Sequence, residues 1–213
     1  MMKKVTLLCT TLLALALGAN AGNDNGKAAD ANYTVDNQAS KLVWTGKKVT
    51  GAHTGNISLS AGNLVVANNK LKSGSFEIDV ASLTVTDLTD KDYNAKLVGH
   101  LKADDFFATD KFPKAKFVTT AVTAKGGDNY EIAGKLTIKG ITSDVKFPAT
   151  VKVEKNKVSA QAKIVVDRTK YDIKFRSKNF FENLGDKAID NDFELDVNLV
   201  AQAGTASAKA TGK

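Results

Sequence analysis

EIAGKLTIKGITSDVKFPATVKVEKNKVSAQAKIVVD, residues 131–167, decides the fold. Ile132, Leu136 and Ile138 alternate with Glu131, Lys135, Thr137 and Lys139, and Gly134 falls in the apolar register. Val145, Phe147, Ala149, Val151 and Val153 then alternate mainly with lysines and Thr150. Val158, Ala160, Ala162, Ile164 and Val166 follow, alternating with Ser159, Gln161, Lys163 and Asp167. A period of two puts one set of side chains on a dry face and the other on a wet one, the pattern of antiparallel strands covered on one side. Lys125-Gly126-Gly127-Asp128-Asn129 and Glu154-Lys155-Asn156-Lys157 have the composition of tight turns between such strands.

The same alternation extends in both directions. Phe76, Ile78 and Val80 alternate with Ser75, Glu77 and Asp79, and Phe193, Leu195, Val197 and Leu199 with Glu194, Asp196 and Asn198. Long strands with one apolar face must bury it without leaving open edges, and closing the sheet into a barrel does both. The expectation is an all-β chain, an antiparallel barrel of about eight strands, with a two-sheet sandwich as the alternative. One segment breaks the period. Between Thr89 and Leu101, the residues Tyr93, Leu97 and Leu101 recur every fourth position, and Thr89 or Asp90 can cap the first turn. This predicts a single amphipathic helix, followed by Phe106-Phe107 and Phe112-Pro113. It suits either a lid across one barrel mouth or a crossover on the outside.

Residues 1–21 read as a cleaved export signal: Lys3 and Lys4, a short apolar run from Val5 to Leu17, then Ala19-Asn20-Ala21 before the cut. The run is short for a permanent membrane anchor. Cys9, the one cysteine, sits inside it behind Leu8, which does not fit a lipid-attachment signal, and cleavage removes it. The mature chain therefore has neither disulfides nor thiol chemistry, and its stability rests on burial. Residues 22–30 read as a linker, 31–202 as one domain, and 203–213 as a low-complexity, disordered tail. The net charge of +7 includes Lys3 and Lys4, and the basic residues are lysines scattered over alternating segments apart from Arg168 and Arg176. Nucleic-acid sites favour clustered arginine forks, so no nucleic-acid partner is expected.

Catalytic patterns are scarce. Gly74-Ser75-Phe76 lacks the rest of a nucleophile elbow. A zinc site needs three or four ligands, and only His53 and His100 are available beside carboxylates. Asp104-Asp105, Asp186 and Asp190-Asn191-Asp192 lack the spacing of a calcium loop. We expect no metal, no other cofactor and no enzyme activity. A metal-dependent or redox accessory enzyme using His53 and His100 is the rival reading, and a structural module with a filled core is another.

Four stretches, in order, resemble the YceI-like family of exported lipid- and polyisoprenoid-binding proteins, over about Tyr33 to Val200. They are Leu42-Val43-Trp44-Thr45 leading into GAHTGNISLSAG (residues 51–62), His100 to Phe107 with Phe112-Pro113 to Phe117, GKLTIKGIT (134–142), and Asp167-Arg168-Thr169-Lys170-Tyr171-Asp172-Ile173. The family often has glycine where Asp172 stands. The resemblance implies a lipocalin-like barrel around an elongated apolar tunnel, one bound amphiphile (a polyisoprenoid, an isoprenoid quinone or a fatty-acid-like chain), a periplasmic location, transient membrane contact and a possible homodimer. Within it the tail contacts are expected from Phe76, Ile78, Val80, Leu97, Leu101, Phe106, Phe107, Phe117, Leu136, Ile138, Phe147, Phe175 and Phe180. Gly51 and Gly55 read as bend or bulge positions. His53 between them is expected to hold a fixed hydrogen bond in that corner, or to touch a head group if the corner lines the tunnel mouth.

Overall fold

The computed structural model describes residues 30–204. The expected signal segment, nearly all of the linker and most of the tail lie outside these residues. Nine antiparallel strands follow the alternation: β1 (Ala31–Val35), β2 (Lys41–Lys48), β3 (Gly51–Ala67), β4 (Lys70–Asp79), β5 (Lys114–Gly126), β6 (Asn129–Ile138), β7 (Ile141–Val153), β8 (Lys157–Asp167) and β9 (Ile189–Ala203), with helix α1 (Lys91–Lys102) between β4 and β5. Strands β2 to β9 pair in sequence, and β9 returns to β2, which closes an eight-stranded barrel rather than a sandwich. The short β1 fills the corner where β3 leaves β2, pairing with β3 along Ala31–Thr34 and with the end of β9 along Tyr33–Val35.

The two ends of the barrel are built differently. At one end, the floor, tight turns join the strands, and Asn68 and Asn69 supply the left-handed backbone of one of them (φ 52° and 56°). Tyr33, Leu64 and Val66 are buried there, and Val158 and Ala201 are wholly inaccessible. The Tyr33 hydroxyl donates to the carbonyls of Glu154 and Lys155, both at 3.2 Å. At the other end, the mouth, β4 reaches β5 through residues 80–113, which include α1, and β8 reaches β9 through residues 168–188.

Asp90 caps α1, accepting from the amides of Asp92 and Tyr93, each at 3.0 Å. The expected stripe shifts, however: Tyr93 is 65% exposed with Lys96 above its ring, and the covered face is formed by Leu97, Val98 and Leu101.

The segment before α1 covers the part of β3 that β4 does not reach. Thr84 and Thr86 donate their amides to the carbonyls of Asn56 and Thr54 at 3.0 and 2.9 Å. Trp44 Nε1 donates to the Thr84 carbonyl at 3.0 Å, directly over Gly55. The expected bend or bulge at Gly55 is absent, since β2 and β3 pair without interruption from Gly51 to Ile57. Position 55 needs glycine because a β-carbon would collide with the Thr84 carbonyl and the Trp44 ring. Gly134 plays the same part on the inner wall, where the Phe117 ring occupies the space a side chain would take.

One seam is only half closed. β7 and β8 pair from Ala149–Val153 against Ala162–Val158, whereas β7 from Ile141 to Pro148 pairs with β6 alone, and β8 from Lys163 to Asp167 with β9 alone. Pro148, which has no N–H to contribute, stands at the first position beyond the last pair. Above it, a 3-10 turn at Arg168–Tyr171 leans on β7 and β9, with Tyr171 and Ile173 wholly buried. Asp172 ends this turn in the left-handed conformation (φ 59°), which accounts for a glycine preference there, and its carboxylate lies 2.6 Å from Lys174 Nζ.

Candidate functional site

The inward-facing register encloses one cavity of about 280 Å³, lined almost entirely by apolar atoms. Its walls differ in bulk. Phe76 on β4 stacks on Phe117 of β5 at 6.3 Å between centroids, and Phe117 meets Phe147 of β7 at 5.6 Å. Farther round the ring, the inner face carries Ala149, Ala160 and Ala162, then Ile164, Leu195 and Val197. These residues point into the barrel yet are only half buried, because they face open space. Small side chains at inward positions of long strands leave the volume that a close-packed core would fill.

Of the expected tail contacts, all but Phe175 and Phe180 line this cavity. Leu97 and Leu101 do so from α1, which places the helix across the mouth. Val80 does so from the 3-10 turn that follows β4. Phe175 lies outside, edge-on to His100 at 4.6 Å, and lines a second pocket of about 350 Å³ beside the mouth. Phe180 is 49% exposed beneath Lys174 and is a rim residue; the β8–β9 connection carries it outward.

His53 lines both pockets. Its Nδ1 shares a 2.8 Å hydrogen bond with Asp87, whose other oxygen accepts the Thr54 amide at 2.9 Å. Partial burial pushes the Asp87 carboxyl up, but the Thr54 amide and the His53 ring outweigh it and hold the group below its ordinary range. The corner therefore has both features expected as alternatives: a fixed hydrogen bond and a place at the mouth. His100 shares a 3.0 Å hydrogen bond with Asp105 and packs against Phe106 and Phe175. Among the described residues, no three of His, Cys, Asp or Glu gather as a metal site.

Two elements escaped sequence reasoning. Arg168 is 4% exposed and lines the cavity. It donates to the carbonyls of Ile173 at 2.7 Å, Asp190 at 3.0 Å and Ile189 at 3.2 Å, tying the long connection shut. Its burial lowers its pKa, against the pull of Asp167 and Asp190. A lone arginine in a turn gave no sign of this. The alanine wall did leave a signal, since Ala149, Ala160 and Ala162 hold inward positions where bulky residues are usual.

A closed antiparallel barrel, packed at one end and covered by a helix at the other around an apolar cavity, defines a calyx-type binding barrel. The chain belongs to the YceI-like family: the YceI-like domain matches residues 33–201. A UPF0312 protein of Shewanella denitrificans is 36% identical over 80 residues, covering 38% of this chain and 39% of that relative. Among solved structures, Burkholderia cenocepacia BcnA superposes with a TM-score of 0.62 at 26% identity, over 78% of this chain and 98% of BcnA. A polyisoprenoid binding domain from Saccharophagus degradans, implicated in plant cell wall breakdown, gives 0.58 at 17% identity, over 81% and 98% of the two chains.

Proposed function

We propose that this protein is an exported, periplasmic carrier that holds the tail of one long-chain amphiphile (a polyisoprenoid, an isoprenoid quinone or a fatty-acid-like lipid) in the barrel, without a cofactor and without catalysing a reaction. The observation that carries the reading is the barrel cavity, whose accessible lining is almost entirely apolar and includes alanines where a packed core would carry larger residues. Burial of a chain from water is favourable by about 0.8 kcal/mol per methylene. A chain taken from a bilayer is already out of water, so affinity then depends on fit and on polar groups at the mouth. That balance suits loading and unloading at membranes.

The rim supports membrane contact. Val49, Tyr93, Phe112, Ile141, Phe180 and Phe181 are exposed apolar or aromatic residues, and the chain places all of them in the connections or strand starts at the mouth. Organic extraction of the purified protein followed by mass spectrometry tests the carrier: one lipid per chain is expected. An empty extract, together with failure to take up any long-chain probe, overturns the reading.

A further inference from the structure

Glycine weakens a strand, and its place there is where the backbone turns left-handed or where another group approaches closely. Gly62 on β3, Gly74 on β4 and Gly134 on β6 are buried, and none of them has left-handed backbone. Gly62 pairs with Phe76, Gly74 with Leu64, and Gly134 with Thr119 and Val145. What approaches each of them is a phenylalanine ring. A β-carbon on Gly62 would lie 2.9 Å from Phe76 Cδ1, and one on Gly74 would lie 3.0 Å from Phe76 Cε2. One on Gly134 would run into Cε2 and Cζ of Phe117. None of the three glycines lines the cavity, whereas Phe76 and Phe117 both do. The two rings therefore lie back over glycine notches, along the wall rather than across the lumen.

A ring pushed out of its notch has one way to go. Non-bonded carbons pack at about 3.5–4.0 Å, so a side chain in any of these notches moves the ring above it. Along the wall, Phe117 is hemmed in by Phe76 at 6.3 Å and Phe147 at 5.6 Å between centroids. Phe76 has Phe117 on one side, and Val35 and Leu64 crowd the notches beneath it. The direction left open to both rings is the lumen. β8, four strands round the ring from β4, carries Ala160 and Ala162 on its inner face. With that wall already low, the position of the rings decides how wide the lumen is.

We propose that Gly62, Gly74 and Gly134 set the bore of the tunnel and keep it wide enough for a methyl-branched chain. This rests on the carrier reading above. The glycines are positioning residues, since they lie behind the rings and act through Phe76 and Phe117. A straight acyl chain passes a narrower bore, whereas every methyl branch must clear the rings. An apolar pocket discriminates by about 10–200-fold over a single methylene.

Palmitic and phytanic acids share a carboxylate and a main-chain length, and phytanic acid adds methyl branches. Their displacement of a fluorescent fatty acid, without vesicles, is compared on the wild type, Gly74→Val and Gly134→Ala. The wild type should bind the two acids within a factor of about three. Each variant should keep palmitic acid, which also shows that the barrel is intact, and should bind phytanic acid at least about tenfold more weakly. Shortening the displaced ring, by Phe76→Leu with Gly74→Val or Phe117→Leu with Gly134→Ala, should restore phytanic acid. A substitution that merely weakened its strand would not be rescued in this way. Gly134 also abuts the Val118 carbonyl, so if Gly134→Ala does not fold, Gly74→Val decides, the atoms nearest its β-carbon all being side-chain atoms. An unchanged ratio in Gly74→Val, a parallel loss of both acids or a failed rescue overturns the inference and leaves the carrier standing. A wild type that takes palmitic but not phytanic acid does the same. A wild type that binds neither overturns both.

Discussion

At the floor of the barrel, turns of two or three residues join strands around Val158 and Ala201, neither of which has any accessible surface. At the mouth, two long connections stand beside the two-residue turns of β2–β3 and β6–β7, and the apolar residues they carry divide between lining the cavity and facing solvent. The alternating sequence is the same at both ends; what differs is the length of two of the connections. Packing density makes the floor the stabilising end. On the carrier reading, openness makes the mouth, and the alanine wall just above the floor, the places where substitutions change what is held more than whether the chain folds.

Three variants can break that comparison. The largest effect is expected at the floor. Tyr33→Ala removes a buried ring and two hydrogen bonds and should cost about 3–5 kcal/mol in urea unfolding. A loss under about 1 kcal/mol would show that the floor is not the stabilising end. On the binding wall, Ala162→Phe adds bulk into open space. It should abolish co-purifying lipid while changing stability by less than the ~1–3 kcal/mol that overpacking of a filled core costs, and a loss within that range would mean the wall is packed. The smallest change in stability is expected at the rim. Phe180→Ser with Phe181→Ser should stay within about 0.5 kcal/mol of wild type while sedimentation with lipid vesicles drops, and unchanged sedimentation would remove these residues from the membrane contact.

Acid sharpens the same contrast. Asp87 is held below its ordinary value of 3.8 by the Thr54 amide and His53, against its partial burial. A depressed carboxyl stabilises the fold above its unfolded pKa, and that contribution is lost as pH falls through the folded one. Thermal melts should therefore show wild type losing more stability than Asp87→Asn as pH drops below that value, and parallel curves would show that the His53 corner contributes nothing.

Much of this architecture was legible. Period-two alternation fixed the strands and their inward faces, which is why Phe76, Phe117, Leu136 and Phe147 all reach the cavity. Periodicity tells which face a residue occupies but not what stands across the barrel from it. The His53–Asp87 bond spans 34 positions and forms only because residues 82–87 are laid along β3. Phe175 and Phe180 lie beyond the end of β8, where alternation gives no guidance. Pro148 was the one local mark of the β7–β8 seam, since a proline within a strand points to an edge.

That seam turns the barrel into a split ring. The hoop of backbone hydrogen bonds is continuous near the floor and interrupted between β7 and β8 toward the mouth, where Tyr171 and Ile173 pack instead. Side-chain contacts yield more readily than a ladder of amides, so the lumen can widen at the mouth without breaking a strand pair. The barrel thus has a fixed depth and an adjustable girth: on the carrier reading proposed above, the floor would limit the length of a held chain and the split would accommodate its thickness.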